Sequence, residues 1–169
     1  GGMAPDRVVP ASGAGPAPWT ASIGIRLPIE PPAGLIVHSR PHARLLNGLV
    51  MAPELHMRQT SEGRIIAGSD FGGAQPGEDQ HATAEALFEK VRAALTESQP
   101  LAMDFFTVGY RPTPKDGFPM IGDVCDGLYI AVMHSGVTLA PLAGMLASNE
   151  ILRGESDPML APFRPTRFL

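Results

Sequence analysis

Prolines cut the apolar runs of this chain into short lengths, and that limits its fold more than any other feature. Pro28, Pro31 and Pro32 separate the run at 23–27 from the run at 34–38, and Pro112, Pro114 and Pro119 crowd the stretch after residue 110. A proline has no N–H to give to a ladder and breaks a helix interior, so each cluster marks a loop or a sheet edge. The chain holds 19 Gly and 18 Pro among 169 residues. They lie between hydrophobic segments rather than in one low-complexity block, so many turns and short strands are expected. With 44% hydrophobic residues there is enough apolar material for a sizeable core.

Several segments carry a readable period. Residues 49–59 and 64–69 flank Thr60-Ser61-Glu62-Gly63 and read as a β-hairpin. Residues 72–81 read as a Gly/Pro/acidic loop. Residues 83–97 then place Leu87, Phe88, Val91 and Leu95 on one helical face, with Thr83 as the expected N-cap. Residues 105–110 and 128–133 read as strands around a proline-rich turn at 111–119. A closing helix is expected over 137–153, with Pro141 in its first turn and Gly154 as its stop. The N-terminal 4–20 reads as one short strand at 7–9 and an irregular stretch to Trp19. The tail 155–169 is expected to run over the surface. The order is not a βαβ alternation, so the fold class expected is α+β with a mixed or antiparallel sheet.

Composition also excludes several functions. A net charge of −4 and a pI near 5.7 leave no basic footprint for nucleic acid. The single cysteine, Cys125, rules out a disulfide framework and a zinc site built on paired cysteines. The five histidines, 38, 42, 56, 81 and 134, show no ligand spacing, so no metal is expected. No apolar run reaches the roughly 18 residues of a membrane span and no signal peptide is visible, so a cytoplasmic chain is expected. Asp70-Phe71-Gly72 matches a kinase tripeptide without any of the accompanying kinase motifs. Gly13-Ala14-Gly15 resembles a dinucleotide fingerprint only until Pro16 and Pro18 remove its donors.

Two segments remain. In residues 109–122 an arginine, Arg111, leaves a strand into a rigid proline turn, where it can offer a two-pronged clamp to a carboxylate. The plainer reading is an Arg111 paired with Asp116 or Asp123 that only closes the loop. In residues 127–141 a buried strand turns through Gly136 into a helix, whose first N–H groups face beyond the strand end and suit an anionic or electron-accepting group. On the hairpin, His56 alternates with Arg58, so both point to one sheet face. That face is either solvated or a pocket lining.

Together these segments resemble the C-terminal part of the flavin-dependent D-amino-acid-oxidase-like family, which includes glycine and sarcosine oxidases and amino-acid and hydroxyproline dehydrogenases. The likeness runs over about 7–163. It is carried by Leu27-Pro28-Ile29-Glu30-Pro31, by Gly63-Arg64-Ile65-Ile66-Ala67-Gly68, by Tyr110-Arg111-Pro112 with Asp116-Gly117 and Pro119-Met120-Ile121-Gly122, and by His134-Ser135-Gly136-Val137-Thr138-Leu139-Ala140-Pro141. The resemblance implies FAD as cofactor and an amine or amino acid bearing a carboxylate as substrate. The reaction it implies is hydride transfer to the flavin, with no side-chain base assigned.

Substrate contacts are implied for Arg111, Tyr110, His56 and Arg58. Flavin contacts are implied for Met133, His134, Ser135, Gly136, Val137, Thr138 and Gly13. His134 occupies a position where some relatives carry an arginine. In domain terms the resemblance implies a flavin-domain remnant at 1–20 and a substrate-binding domain at 21–120. A strand and helix at 121–154 would return to the flavin domain, followed by the tail. The glycine fingerprint that opens such enzymes is not found in these residues. The chain is therefore expected to correspond to about the last two-fifths of one, to hold FAD weakly by itself, and to need a nucleotide-binding half or a separate subunit. Self-association and a stand-alone, non-catalytic role are the alternative expectations.

Overall fold

The computed structural model describes residues 5–69, 75–95 and 101–168. In chain order the first elements are α1 (Pro16–Ser22), β1 (Ile29–Glu30), β2 (Ala33–Ser39), β3 (Val50–Ala52), β4 (Leu55–Gln59), β5 (Ile65–Gly68) and α2 (Gln80–Ala94). They are followed by β6 (Met103–Tyr110), β7 (Thr113–Pro114), β8 (Met120–Cys125), β9 (Leu128–Val132), α3 (Gly136–Arg153) and two 3-10 turns at Pro158–Phe163 and Pro165–Phe168. The mixed α+β composition with antiparallel sheets agrees with the fold class expected. Asp70-Phe71-Gly72 and part of the 72–81 loop lie outside the described residues.

The chain forms two compact units, Pro32–Tyr110 and the pair Gly1–Pro31 with Arg111–Leu169. Compactness thus draws boundaries at 31/32 and 110/111, whereas the expected boundaries at 20/21 and 120/121 were drawn on role.

In the Pro32–Tyr110 unit an antiparallel sheet of order β3-β4-β5-β2-β6 packs one face on α2. Alternation sets the faces: Leu35 and Val37 on β2, Leu55 and Met57 on β4, and Ile65 and Ala67 on β5 are buried. From α2, Ala84, Leu87, Phe88 and Val91 recur at helical spacing and complete this core. The helix begins earlier than Thr83. Asp79 is its N-cap, accepting from the Ala82 N–H at 2.9 Å, because nothing in Gln80-His81-Ala82 stops the helix short of the first residue able to cap it. Thr83 instead donates its hydroxyl to the carbonyls of Pro76 and Asp79.

The hairpin around Thr60–Gly63 joins β4 to β5, with the Thr60 N–H bonded to the Arg64 carbonyl at 2.8 Å. The run 49–59 is not one strand. Pro53 and Glu54 turn it, so β3 folds back antiparallel on β4.

In the other unit, β8 and β9 form an antiparallel hairpin with both faces covered. On one face Ile121, Tyr129 and Met133 meet Ala143, Leu146 and Ala147 of α3 together with Leu160. On the other, Met120, Leu128 and Ile130 meet Leu27. Burial on both sides explains the nearly unbroken apolar run of β9. The β8 strand itself does not stand out in the sequence, because Gly122 and Asp123 interrupt its pattern. The short N-terminal strand expected at 7–9 reduces to a single parallel bridge from Val8 to Leu128. The stretch to Trp19, expected to be irregular, contains α1. Prolines in its first turn lose nothing there, since those N–H groups have no partner within the helix. Pro141 lies in the second turn of α3 rather than the first, because the helix starts at Gly136.

The tail is tied down rather than free on the surface. Arg164 grips both carboxylate oxygens of Glu150 on α3, at 2.7 and 2.6 Å, and Tyr129 donates its hydroxyl to the same carboxylate at 2.7 Å. The Arg164 guanidinium holds Glu150 below the usual carboxylate range, while burial and Glu150 push the Tyr129 phenol up. Gly122 has φ +142°, and a Cβ there would lie 2.9 Å from Arg164 Nη1. Among the described residues no helix is long and apolar enough to cross a membrane.

A carboxyl whose folded pKa is depressed stabilises the fold fully above its ordinary value, and loses that contribution as pH falls through the lower one. The stability difference between the wild-type chain and Glu150→Gln is therefore greatest near neutrality and shrinks below about pH 4.5, measured by urea denaturation across a pH series. Gly122→Ala costs more than about 1 kcal/mol, through both its φ and its contact with Arg164.

Candidate functional site

The chain leaves β9 at Val132, turns through Met133, His134 and Ser135, and enters α3 at Gly136. Ser135 is the N-cap, but its side chain makes no capping bond. Its hydroxyl lies 3.2 Å from His134 Nδ1 instead. Among the described residues no side chain caps the start of this 18-residue helix, and its first N–H groups keep the partial positive charge of a helix start.

Beside this turn runs an open groove of about 830 Å3. Its walls are mostly apolar, and along α3 they include small residues four apart, Gly136, Ala140, Gly144 and Ser148, beside larger ones such as Val137, Ile151 and Leu152. That spacing puts the small residues on one stripe of the helix, so a flat group can lie close to the backbone. All seven residues for which flavin contact is expected line this one groove: Met133, His134, Ser135, Gly136, Val137, Thr138 and, from the other wall, Gly13. Gly13 has φ +69°, and Pro112 lies against it, 3.8 Å from where its Cβ would be. Sequence reasoning missed Pro112 and the α3 stripe. The i, i+4 recurrence of small residues from 136 to 148 was the available signal for the stripe.

Arg111 follows the last residue of β6, and the plainer reading of it does not hold. Asp116 is taken by Arg167, whose Nε and Nη2 donate to it at 2.7 and 3.0 Å, and Asp123 faces Arg7 at 3.6 Å. The Arg167 guanidinium holds Asp116 below the usual range. Arg111 Nη1 is shielded from solvent and has no hydrogen-bond partner among the described residues; Thr113 Oγ1 is in the same condition. A shielded donor without an acceptor is costly unless something else supplies one.

The remaining expected substrate residues, His56, Arg58 and Tyr110, lie in the Pro32–Tyr110 unit. His56 and Arg58 share the face of β4 that points away from the core, as their spacing implied. His56 lies so close over Gly68 of β5 that a Cβ there would be 2.6 Å from Nε2. Tyr110 is not brought to them. Its register, continuous with Phe106 and Val108 opposite Val37 and Leu35, puts it on the α2 face of the sheet, where it is largely exposed.

Comparison with known proteins gives a consistent picture. Residues 2–150 match the family model described as FAD dependent oxidoreductase (DAO). The chain is 31% identical over 174 residues to a glycine oxidase of Pseudomonas putida, a match that covers 98% of this chain and 47% of that protein. The crystal structure of glycine oxidase from Geobacillus kaustophilus superposes with a TM-score of 0.80 at 28% identity, covering 99% of this chain and 47% of that one. That of iminodiacetate oxidase from Chelativorans sp. BNC1 has a TM-score of 0.77 at 22% identity and shares the fold. The chain thus spans about half the length of the curated relatives it matches.

Two arginines of one unit are expected to behave oppositely when shortened. Arg164→Met breaks the Glu150 pair at a cost of roughly 2 kcal/mol after allowing for its partial exposure, or about 4–8 °C in Tm. Arg111→Met breaks no side-chain bond seen among the described residues and is expected to leave Tm unchanged or higher. Differential scanning calorimetry of both variants reads the contrast.

Proposed function

The chain belongs to the FAD-dependent oxidoreductase family, and we propose that it supplies the flavin-facing groove and the carboxylate clamp of an enzyme that oxidises an amine or amino acid. The observation that carries this reading is Arg111, a guanidinium whose shielded Nη1 has no acceptor among the described residues although acidic residues stand close in sequence. A substrate carboxylate supplies that acceptor, and a planar guanidinium holds it in one orientation through parallel bonds.

The groove fits the isoalloxazine end of FAD in its chemistry. That ring is flat and largely apolar with one polar edge; the groove offers a stripe of small residues beside uncapped helix N–H groups. Gly136, Val137 and Thr138 would hold the polar edge through their backbone, while Met133, Gly13 and the α3 stripe would cover the faces. When bound, FAD would supply a two-electron acceptor for the hydride on the carbon beside the neutral amine nitrogen, leaving the protonated imine (iminium).

The protein's own part is placement and electrostatics. The helix start stabilises negative charge arising at that end of the groove, and it is already oriented before reaction begins. Arg111 fixes the substrate by its carboxylate, which limits the orientations its reacting C–H bond can take. The mostly apolar groove walls offer few polar groups to hold water. No side-chain base is assigned, so the amine must bind neutral.

The nucleotide end of FAD needs further protein, from the same polypeptide or a separate subunit. Val137, Leu142, Met145 and Leu152 of α3 are exposed apolar side chains that such a partner, or a second copy, could cover.

In the FAD-loaded protein that carries this chain, Arg111→Ala is expected to raise KM for an amino-acid substrate about 10- to 100-fold, the loss of one charge-assisted pair, with a smaller change in kcat. Steady-state kinetics on the best amino acid test it. Unchanged kcat/KM would remove Arg111 from the site.

A further inference from the structure

We propose that Thr113 is a second recognition group for the carboxylate that Arg111 holds, its hydroxyl donating to one carboxylate oxygen while the guanidinium takes the other; this rests on the reading of Arg111 given above. Two observations carry it. Arg111 Nη1 and Thr113 Oγ1 are both shielded from solvent without a hydrogen-bond partner among the described residues, and they belong to residues two apart in the chain. The run Arg111-Pro112-Thr113-Pro114 also fixes how they stand to each other. A residue before proline is driven out of the helical region into extended backbone, and here that applies to both Arg111 and Thr113.

In extended chain, residues two apart share a side, with their Cα atoms about 6.5 Å apart. Pro112, between them, lines the groove beside Gly13, which puts the pair next to the groove along the chain. The pairing of β7 with β1, Thr113 opposite Glu30 and Pro114 opposite Ile29, anchors the far end of the run. Glu30 is exposed, and its side chain bonds neither Arg111 Nη1 nor Thr113 Oγ1, so it does not satisfy either group. The two groups suit one carboxylate. Arg111 can only donate, whereas a threonine hydroxyl can donate to one oxygen and still accept from an amine N–H. An anion without a second oxygen in reach would leave one of the two unpaired.

The test uses the FAD-loaded protein that carries this chain, titrated calorimetrically with propionate, a carboxylate with no amine to oxidise, and with its uncharged counterpart propionamide. Thr113→Val removes the hydroxyl at nearly constant shape. It is expected to keep or raise Tm, since an unpaired shielded hydroxyl is lost, yet to weaken propionate binding about 5- to 20-fold without weakening propionamide. Thr113→Ser is expected to restore propionate affinity to within about twofold. If Thr113→Val binds propionate as the wild type does while Arg111→Met loses it, the clamp stands and Thr113 has no part in it. If Arg111→Met also binds propionate normally, the carboxylate reading fails and the role of Thr113 fails with it. Should Thr113→Val not fold, Thr113→Ala carries the same comparison.

Discussion

The carboxylate of Glu150 is the point on which the groove-bearing unit depends. It sits on α3, receives the hydroxyl of Tyr129 from β9, and is gripped through two bonds by Arg164 from the C-terminal segment. Helix, strand and tail therefore meet on a single ion beside the apolar core that Ile121, Tyr129 and Leu160 form with α3. The groove lies where the end of β9 turns into α3, on this same set of elements. Gly122 completes the Glu150 cluster by leaving room, at a φ that only glycine adopts readily, for the Arg164 guanidinium to reach across β8.

The prolines that limit the fold also build the candidate site. Around Arg111 they remove backbone donors and favour extended backbone, and Arg111 Nη1 and Thr113 Oγ1 are shielded without a partner among the described residues. Nearby charges are consumed elsewhere, Asp116 by Arg167 and Asp123 by Arg7. The charge pattern thus keeps its loop-closing ion pairs apart from Arg111. The same division appears at α3. Its C-terminal part is locked through Glu150, while its first turn is left without a side-chain cap.

Much of this was legible in the sequence where one local rule dominates. The hairpin at β4–β5 and the cores of α2 and α3 follow from period and turn chemistry, and Gly154 ends α3 in the left-handed conformation. What was not legible depended on partners distant in sequence. The β8 strand is interrupted by Gly122 and Asp123 and is defined by pairing with β9. α1 was hidden because its prolines look like loop residues when the helix start is unknown. Asp79 outcompetes Thr83 as a cap only because the helix runs back to it. The tail reads as surface because nothing local shows that Leu160 is buried or that Arg164 meets Glu150. For the candidate site, the turn at 133–138 and Arg111 stand out in the sequence. Whether Arg111 would close the loop or stay open needed the positions of Arg167 and Arg7, and the face occupied by Tyr110 needed the sheet register.

The central claim is that Arg111 presents a substrate carboxylate to a flavin lying in the groove beside α3. A difference spectrum tests it most directly. Propionate added to the FAD-loaded protein should shift the visible flavin absorption as the carboxylate docks, and Arg111→Met should abolish that shift at the same propionate concentrations. An equal shift in wild type and variant, or no shift at saturating propionate in either, would contradict it.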